Sequence, residues 1–218
     1  MPDFARARER MVSQQIAGRG LVGAHLLDAF REVPRELFVA PSLAAEAYHD
    51  RPLPIEAGQT ISQPYIVAFM IDAARVRLGQ RVLEIGAGSG YAAAILGRIA
   101  DEVVAVERQP ELAHIAAKRI ERLGYDNVRI VEGDGTLGFA EAAPYDAILA
   151  AAAGRDVPEA LLEQLADDGT LVMPIGAPGG AQHLVRVRRR GPRFDREEMD
   201  AVRFVPLIGE QGWPEDRK

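Results

Sequence analysis

The chain has 218 residues, 48% of them hydrophobic, which is enough for one large domain with an ordinary globular core. Its formal charge of -6 and pI near 5.3 argue against a surface built to grip nucleic acid or an anionic membrane, both of which need basic patches. With no cysteine, disulfides, thiolate nucleophiles and Cys-ligated metals are excluded. The four histidines, His25, His49, His114 and His183, show no metal-ligand spacing, so no metal is expected.

The opening MPDFARARERM is a charged helical pattern without a signal-peptide core, and no apolar run approaches the roughly 20 residues of a membrane span. A cytoplasmic protein that binds neither membrane nor nucleic acid is expected. Apolar residues recur at helical spacing from Phe4 to Ala17 and from Ala24 to Arg31, with Gly18, Gly20 and Gly23 between, predicting a helical cap. Pro34, Pro41, Pro52 and Pro54 make 32–62 irregular, and Pro64 opens a helix through Ala74 as a first-turn proline.

Strands and helices then alternate: strand 81–85, helix 90–99, strand 102–107, helix 110–123, strand 127–132, strand 145–151, helix 158–166 and strand 169–174. VLEI, EVVAVE and DAILA are apolar almost throughout, as parallel strands covered on both faces are, which predicts a doubly wound α/β sheet. GAPGGAQH at 176–183 reads as a loop. Segments 182–190 and 198–205 alternate apolar with charged residues and suggest an antiparallel pair at the sheet's end. The tail GEQGWPEDRK is expected to pack Trp213 and then fray.

The strongest chemical signal is VLEIGAGSGYAAAIL at 82–96, a buried strand entering a glycine-rich turn and then a helix. Gly86, Gly88 and Gly90 let backbone approach a ligand closely, and the following helix offers unpaired N–H donors. Tyr91 stands where a dinucleotide fingerprint wants a small residue, which disfavours NAD, and the absence of a Lys-Ser/Thr pair disfavours a P-loop. S-adenosylmethionine carries no phosphate and needs only such a turn with acidic partners. Glu84 is placed for its amino group, Glu107 at the next strand end for its ribose hydroxyls, and Asp134 with Gly133 for its adenine. A second cluster, Gln59, Thr60 and Ser62, sets uncharged hydrogen-bonding groups on a loop before a helix, suited to orienting a polar substrate. Ser62 is equally placed to be only that helix's cap.

MVSQQIAGRGL at 11–21, VPRELFV at 33–39, AYHDRPLPI, GQTISQPYIVA, LEIGAGSGY, EGDGTLGFAEAAPYDAIL and VRFVPLIG together resemble the protein-L-isoaspartate O-methyltransferase family over nearly the whole chain. The glycine turn is generic to S-adenosylmethionine methyltransferases, whereas GQTISQP and EGDGTLGFAEAAPYDAI are specific to this family. The sequence departs from the family pattern at Glu56 and at AAAAGRDVP, 150–158. The resemblance implies a single methyltransferase domain with a Rossmann-like, mostly parallel seven-stranded sheet of the class I type. Within it 1–62 would be an N-terminal cap, 63–175 the cofactor-binding core, and 176–218 antiparallel strands and tail. It also implies a catalytic role for Ser62 with Thr60 beside it, substrate contacts from Gln59, Ile61 and Tyr65, and a peptide cleft roofed by 47–65. Read for packing alone, His49 and Tyr65 are ordinary loop residues. The implied reaction is methyl transfer from S-adenosylmethionine to the free α-carboxylate of an isoaspartyl residue in a damaged protein; a monomer is expected, although nothing in the sequence fixes the oligomeric state. A carboxylate with a pKa of about 3–4 is already ionised at neutral pH and needs no general base. Methylation of another acid, or a non-catalytic S-adenosylmethionine-binding module, are the alternatives.

Overall fold

The computed structural model describes residues 2–215. Helix α1 (Phe4–Arg10) runs without a break into a wider, π-wound turn at Met11–Ile16 and a short 3-10 turn at Ala17–Arg19. The helix expected over 4–17 therefore changes winding, which gathers Met11, Val12 and Ile16 toward one buried face. Helix α2 (Ala24–Glu32) follows, and α3 (Pro64–Ala73) starts on the first-turn proline as expected. Between them, a stretch expected to be irregular contains a small antiparallel ladder of β1 (Leu53–Pro54) and β2 (Thr60–Ile61), pairing Leu53 with Ile61 and Pro54 with Thr60.

The main sheet contains β3 (Arg81–Ile85), β4 (Glu102–Glu107), β5 (Val128–Glu132), β6 (Tyr145–Ala150), β7 (Leu165–Gly176), β8 (Gln182–Arg190) and β9 (Arg193–Val202). Helices α4 (Tyr91–Gly97), α5 (Pro110–Arg122) and α6 (Glu159–Glu163) connect them. The order is β5-β4-β3-β6-β7-β8-β9, with β8 and β9 antiparallel and the other five strands parallel. This is the doubly wound arrangement expected from the apolar strands, with the seven strands that the resemblance implied.

Two elements differ from expectation. Helix α6 is shorter than 158–166 because Leu165 already pairs with Tyr145, so the strand takes over the chain there. Strand β9 runs 193–202 rather than 198–205, since Gly191, at φ 55°, turns the chain directly from β8 and Arg190 pairs with Arg193. Its first residues are exposed, so no apolar alternation marked them.

Successive residues of each central strand feed opposite cores, which is why their sequences do not alternate. Val82, Val103, Ala105, Ala147 and Leu149 join one core with α3, α4 and the N-terminal helices, while Leu83, Ile85, Val104, Val106 and Ile148 join the other with Leu161 of α6. Full burial of each Val, Leu or Ile contributes about 1.5–3 kcal/mol. The N-terminal helices share their core with the sheet, so the cap is held to the α/β layer by packing. Among the described residues, no helix is long and apolar enough to cross a membrane. The chain changes direction across the sheet between β3 and β6, and a crevice opens at the C-terminal ends of β3, β4 and β6, as such a switch point requires.

Candidate functional site

The crevice holds a cavity of about 940 Å³ walled by the glycine turn, the ends of β3 and β4, the loop after β6, residues 59–63, and residues 201–208. The turn is tied to the sheet by the N–H groups of Gly86 and Ala87, which both donate to the Val106 carbonyl at 2.8 and 3.2 Å. Gly90 precedes α4 at φ 86°, and a Cβ there would stand 3.3 Å from the Ala116 Cβ of α5. Left-handed backbone and close approach together explain the glycine. Tyr91 does not push its helix off the strand. Its ring is buried against the cap, edge-on to Phe30 and Phe38 at 6.2 and 5.4 Å.

Two carboxyls line the cavity beside the turn. Glu84 is 3% exposed, and its Oε2 has no hydrogen-bond partner. Burial, and secondarily the charge of Glu107, push its pKa well above the ordinary carboxylate range. Glu107 is satisfied: its Oε2 accepts from Gly88 N at 2.8 Å and its Oε1 from Gln109 N at 2.9 Å. A buried, unpartnered acid beside a satisfied one is short of a cation, and the ammonium of an amino-acid moiety supplies one. The residues present thus fit the amino and ribose groups of S-adenosylmethionine.

The third strand end departs from expectation. Gly133 and Asp134 do not line the cavity, and Gly135 stands in the wall instead. The Asp134 carboxylate is engaged inside the chain, Oδ1 accepting from Thr136 N at 2.8 Å and Thr136 Oγ1 at 2.7 Å, Oδ2 from Glu210 N at 2.7 Å. A Cβ on Gly209 would lie 2.1 Å from Asp134 Oδ1, which accounts for the glycine in the C-terminal motif. Asp134 therefore caps the turn after β5 and anchors the tail to it.

Gln59, Thr60, Ile61 and Ser62 all line the cavity, across from the glycine turn. The β1–β2 ladder fixes this segment, and Ile61 is its buried side. Ser62 is not the cap of α3: the N-cap position is Gln63, with no side-chain capping bond. Asp50 does that work from a distance, accepting from Gln63 Nε2 at 2.7 Å and from Tyr65 N at 3.3 Å. The Ser62 hydroxyl makes no hydrogen bond among the described residues, while its carbonyl accepts from Arg35 Nη2 at 2.8 Å. Tyr65 does not line the cavity. It stacks on Phe69 with centroids 6.0 Å apart and lies under the Arg19 guanidinium, because the helix turns its side chain away from the crevice. His49 sits exposed on a turn, and its ring makes no hydrogen bond or ion pair among the described residues.

The sequence reading missed the wall formed by 203–208. Ala153 N donates to Val205 O at 2.8 Å, Leu207 N to Ala153 O at 2.9 Å, and Trp213 Nε1 to Ala153 O at 2.9 Å. The alanines at 150–153 are small enough for this segment to lie directly on the sheet end, so the departure at 150–158 is a packing feature. The other departure, Glu56, pairs with Arg119 at 3.1 Å, and Arg119 also donates to the Ser89 carbonyl of the glycine turn at 3.3 Å. The VRFVPLIG motif was the available signal for the missed wall.

Residues 6–212 match the family model described as protein-L-isoaspartate(D-aspartate) O-methyltransferase. Protein-L-isoaspartate O-methyltransferase 2 of Pelobacter propionicus is 55% identical over 94% of this chain and 92% of its own. The protein-L-isoaspartate O-methyltransferase of Methylorubrum populi is 56% identical over 95% of this chain and 97% of its own. A solved protein-L-isoaspartate O-methyltransferase superposes with a TM-score of 0.86 at 32% identity, over 94% of this chain and 67% of that one. A Plasmodium falciparum structure, solved with S-adenosyl-L-homocysteine, shares the fold with a TM-score of 0.79 at 23% identity, over 95% of this chain and 99% of that one.

Proposed function

This chain belongs to the protein-L-isoaspartate(D-aspartate) O-methyltransferase family, and from that membership we propose that it methylates the free α-carboxylate of isoaspartyl residues in damaged proteins and peptides. The observation that carries the reading is the pairing, across one cavity, of an unpartnered buried acid on β3 with a free serine hydroxyl on the 59–63 loop.

S-adenosylmethionine supplies, when bound, a methyl group on a positively charged sulfur. Glu84 would hold its ammonium and Glu107 its ribose, with Gly86, Gly88 and Gly90 as the floor and Gly135 toward the base. The substrate acid is ionised at neutral pH, so the site's task is to hold it without protonating it. Ser62 and Thr60 suit that task, being neutral donors, and no histidine lines the cavity. Gln59 and Ile61 flank them along an extended peptide. Catalysis then rests on alignment and exclusion of water, for which effective molarities of the order of 10⁵ M or more are available. Esterification turns a poor leaving group into methoxide, so the neighbouring backbone nitrogen closes a succinimide whose hydrolysis returns some normal aspartate. We take the enzyme to act as a monomer, and the net charge of -6 favours a protein over a nucleic-acid partner. A cytoplasmic place of action completes the reading.

The test is radiolabelled methyl transfer to an isoaspartyl peptide and to its normal aspartyl twin. Base-labile label on the isoaspartyl peptide alone is expected; equal labelling of both, or of neither while a small acid is methylated, overturns the substrate.

A further inference from the structure

Arg35 is a buried cation with no carboxylate within ion-pair distance among the described residues, the charge of Asp50 acting on it only from further off. It is 0% exposed and forms no ion pair among the described residues. Leaving such a charge uncompensated is expensive, and buried arginines ordinarily face a carboxylate. Here the direct contacts are made by backbone and ring. Nε donates to the Ala47 carbonyl at 2.7 Å, Nη2 donates to the Ser62 carbonyl at 2.8 Å, and the guanidinium carbon lies 4.8 Å from the centre of the Tyr91 ring. The third nitrogen, Nη1, and the Tyr91 hydroxyl are both buried without a partner.

These three contacts belong to three different parts of the site. Ala47 closes the turn after the cap and begins the cover, Ser62 is the substrate-side hydroxyl, and Tyr91 follows Gly90 directly at the start of α4. A planar, rigid fork holds such points at fixed separations, as a flexible ammonium does not. A neutral group could cross-link the cap more cheaply. Taking the reading of Ser62 under Proposed function as its basis, we propose that Arg35 is a positioning residue, which sets the Ser62 hydroxyl against the glycine turn and hence the substrate carboxylate against the methyl donor. It touches neither reactant and acts through the Ser62 backbone.

The experiment compares Arg35→Lys, which keeps the charge and loses the fork, and Arg35→Gln, which loses the charge, each alone and combined with Ser62→Ala. Folding is checked by circular dichroism, S-adenosylhomocysteine affinity by calorimetry, and kcat and KM with an isoaspartyl peptide. In whichever variant folds, kcat should fall about 100-fold, as misplacement of a reacting group by about 1 Å does, while cofactor affinity and peptide KM stay within about threefold. Ser62→Ala should then cost far less in the Arg35 variant than in the parent, because the hydroxyl has already lost its place. Additive losses, an unchanged kcat, or a kcat loss matched by an equal loss of cofactor affinity would each overturn the proposal. So would failure of both single variants to fold, which assigns the residue to folding alone. The Ser62→Ala single variant reads the underlying assignment separately: full activity there removes Ser62, and Arg35's role with it.

Discussion

Glu84→Gln should move stability and ligand affinity in opposite directions. In the free protein the carboxyl is 3% exposed with one oxygen unpartnered, and burial raises its pKa well above the ordinary value of 4.5. The folded state therefore keeps a proton that the unfolded chain has released, so bound protons are more numerous in the native state through this window. The stability contribution is fully present below pH 4.5 and is lost as pH rises toward the folded-state pKa, at no more than about 1.4 kcal/mol per pH unit for one proton. Glutamine does not titrate and removes that slope. Ligand-free parent and variant should thus be nearly equal at the acid end, while at pH 7 the variant should be the more stable, by no more than about 1.4 kcal/mol for each pH unit over which the parent's carboxyl has held its extra proton. Cofactor binding should go the other way. Loss of a charge-assisted bond to the ammonium removes about 1.5–3 kcal/mol, which is a roughly 10- to 150-fold weaker affinity. Urea unfolding from pH 5 to 8 and calorimetry with S-adenosylhomocysteine measure both quantities, and the parent alone should release a proton on binding. A variant that binds as tightly as the parent, or whose ligand-free stability keeps the parent's pH slope, refutes the assignment.

Ser62→Ala should leave S-adenosylhomocysteine affinity unchanged and cut turnover about 100-fold or more, with Thr60→Val smaller, because on the proposed reading the hydroxyl meets only the acceptor; equal turnover in a peptide assay would falsify this. Asp134→Ala should lower stability by about 0.5–2 kcal/mol through loss of its cap and expose the tail around Glu210 to proteolysis, and an unmoved urea midpoint contradicts the capping geometry. Its effect on cofactor affinity should be smaller than that of Glu84→Gln, since its carboxylate already accepts three hydrogen bonds within the chain. Gly90→Ala places a side chain at φ 86° with only 3.3 Å to Ala116 and should cost about 1–2 kcal/mol together with cofactor affinity, as differential scanning calorimetry with and without ligand would show.

The order of elements was legible in the chain because its signals are local. Apart from Glu84, Val82–Ile85, Val103–Val106 and Ala147–Ala150 are apolar on both faces, as a strand between two helical layers requires, and the doubly wound sheet follows. The glycine turn, with Glu84 and Glu107 at neighbouring strand ends, was equally readable, since a turn and two strand tips are set by short stretches of sequence. Long-range closeness was not readable. That the Asp134 carboxylate also meets Gly209 and accepts from Glu210 N, 75 and 76 residues further on, was not. Tyr65 sits in the same motif as Ser62 yet faces away, because the sense in which α3 departs from the loop decides which side chain meets the crevice. The wall at 203–208 and the contact of Arg35 with Ser62 join segments far apart in sequence. What the sequence alone determined is the set of elements and their chemistry; which groups meet a ligand was decided by tertiary packing, because segments far apart in the chain set which side chains reach the crevice and which are turned into the protein.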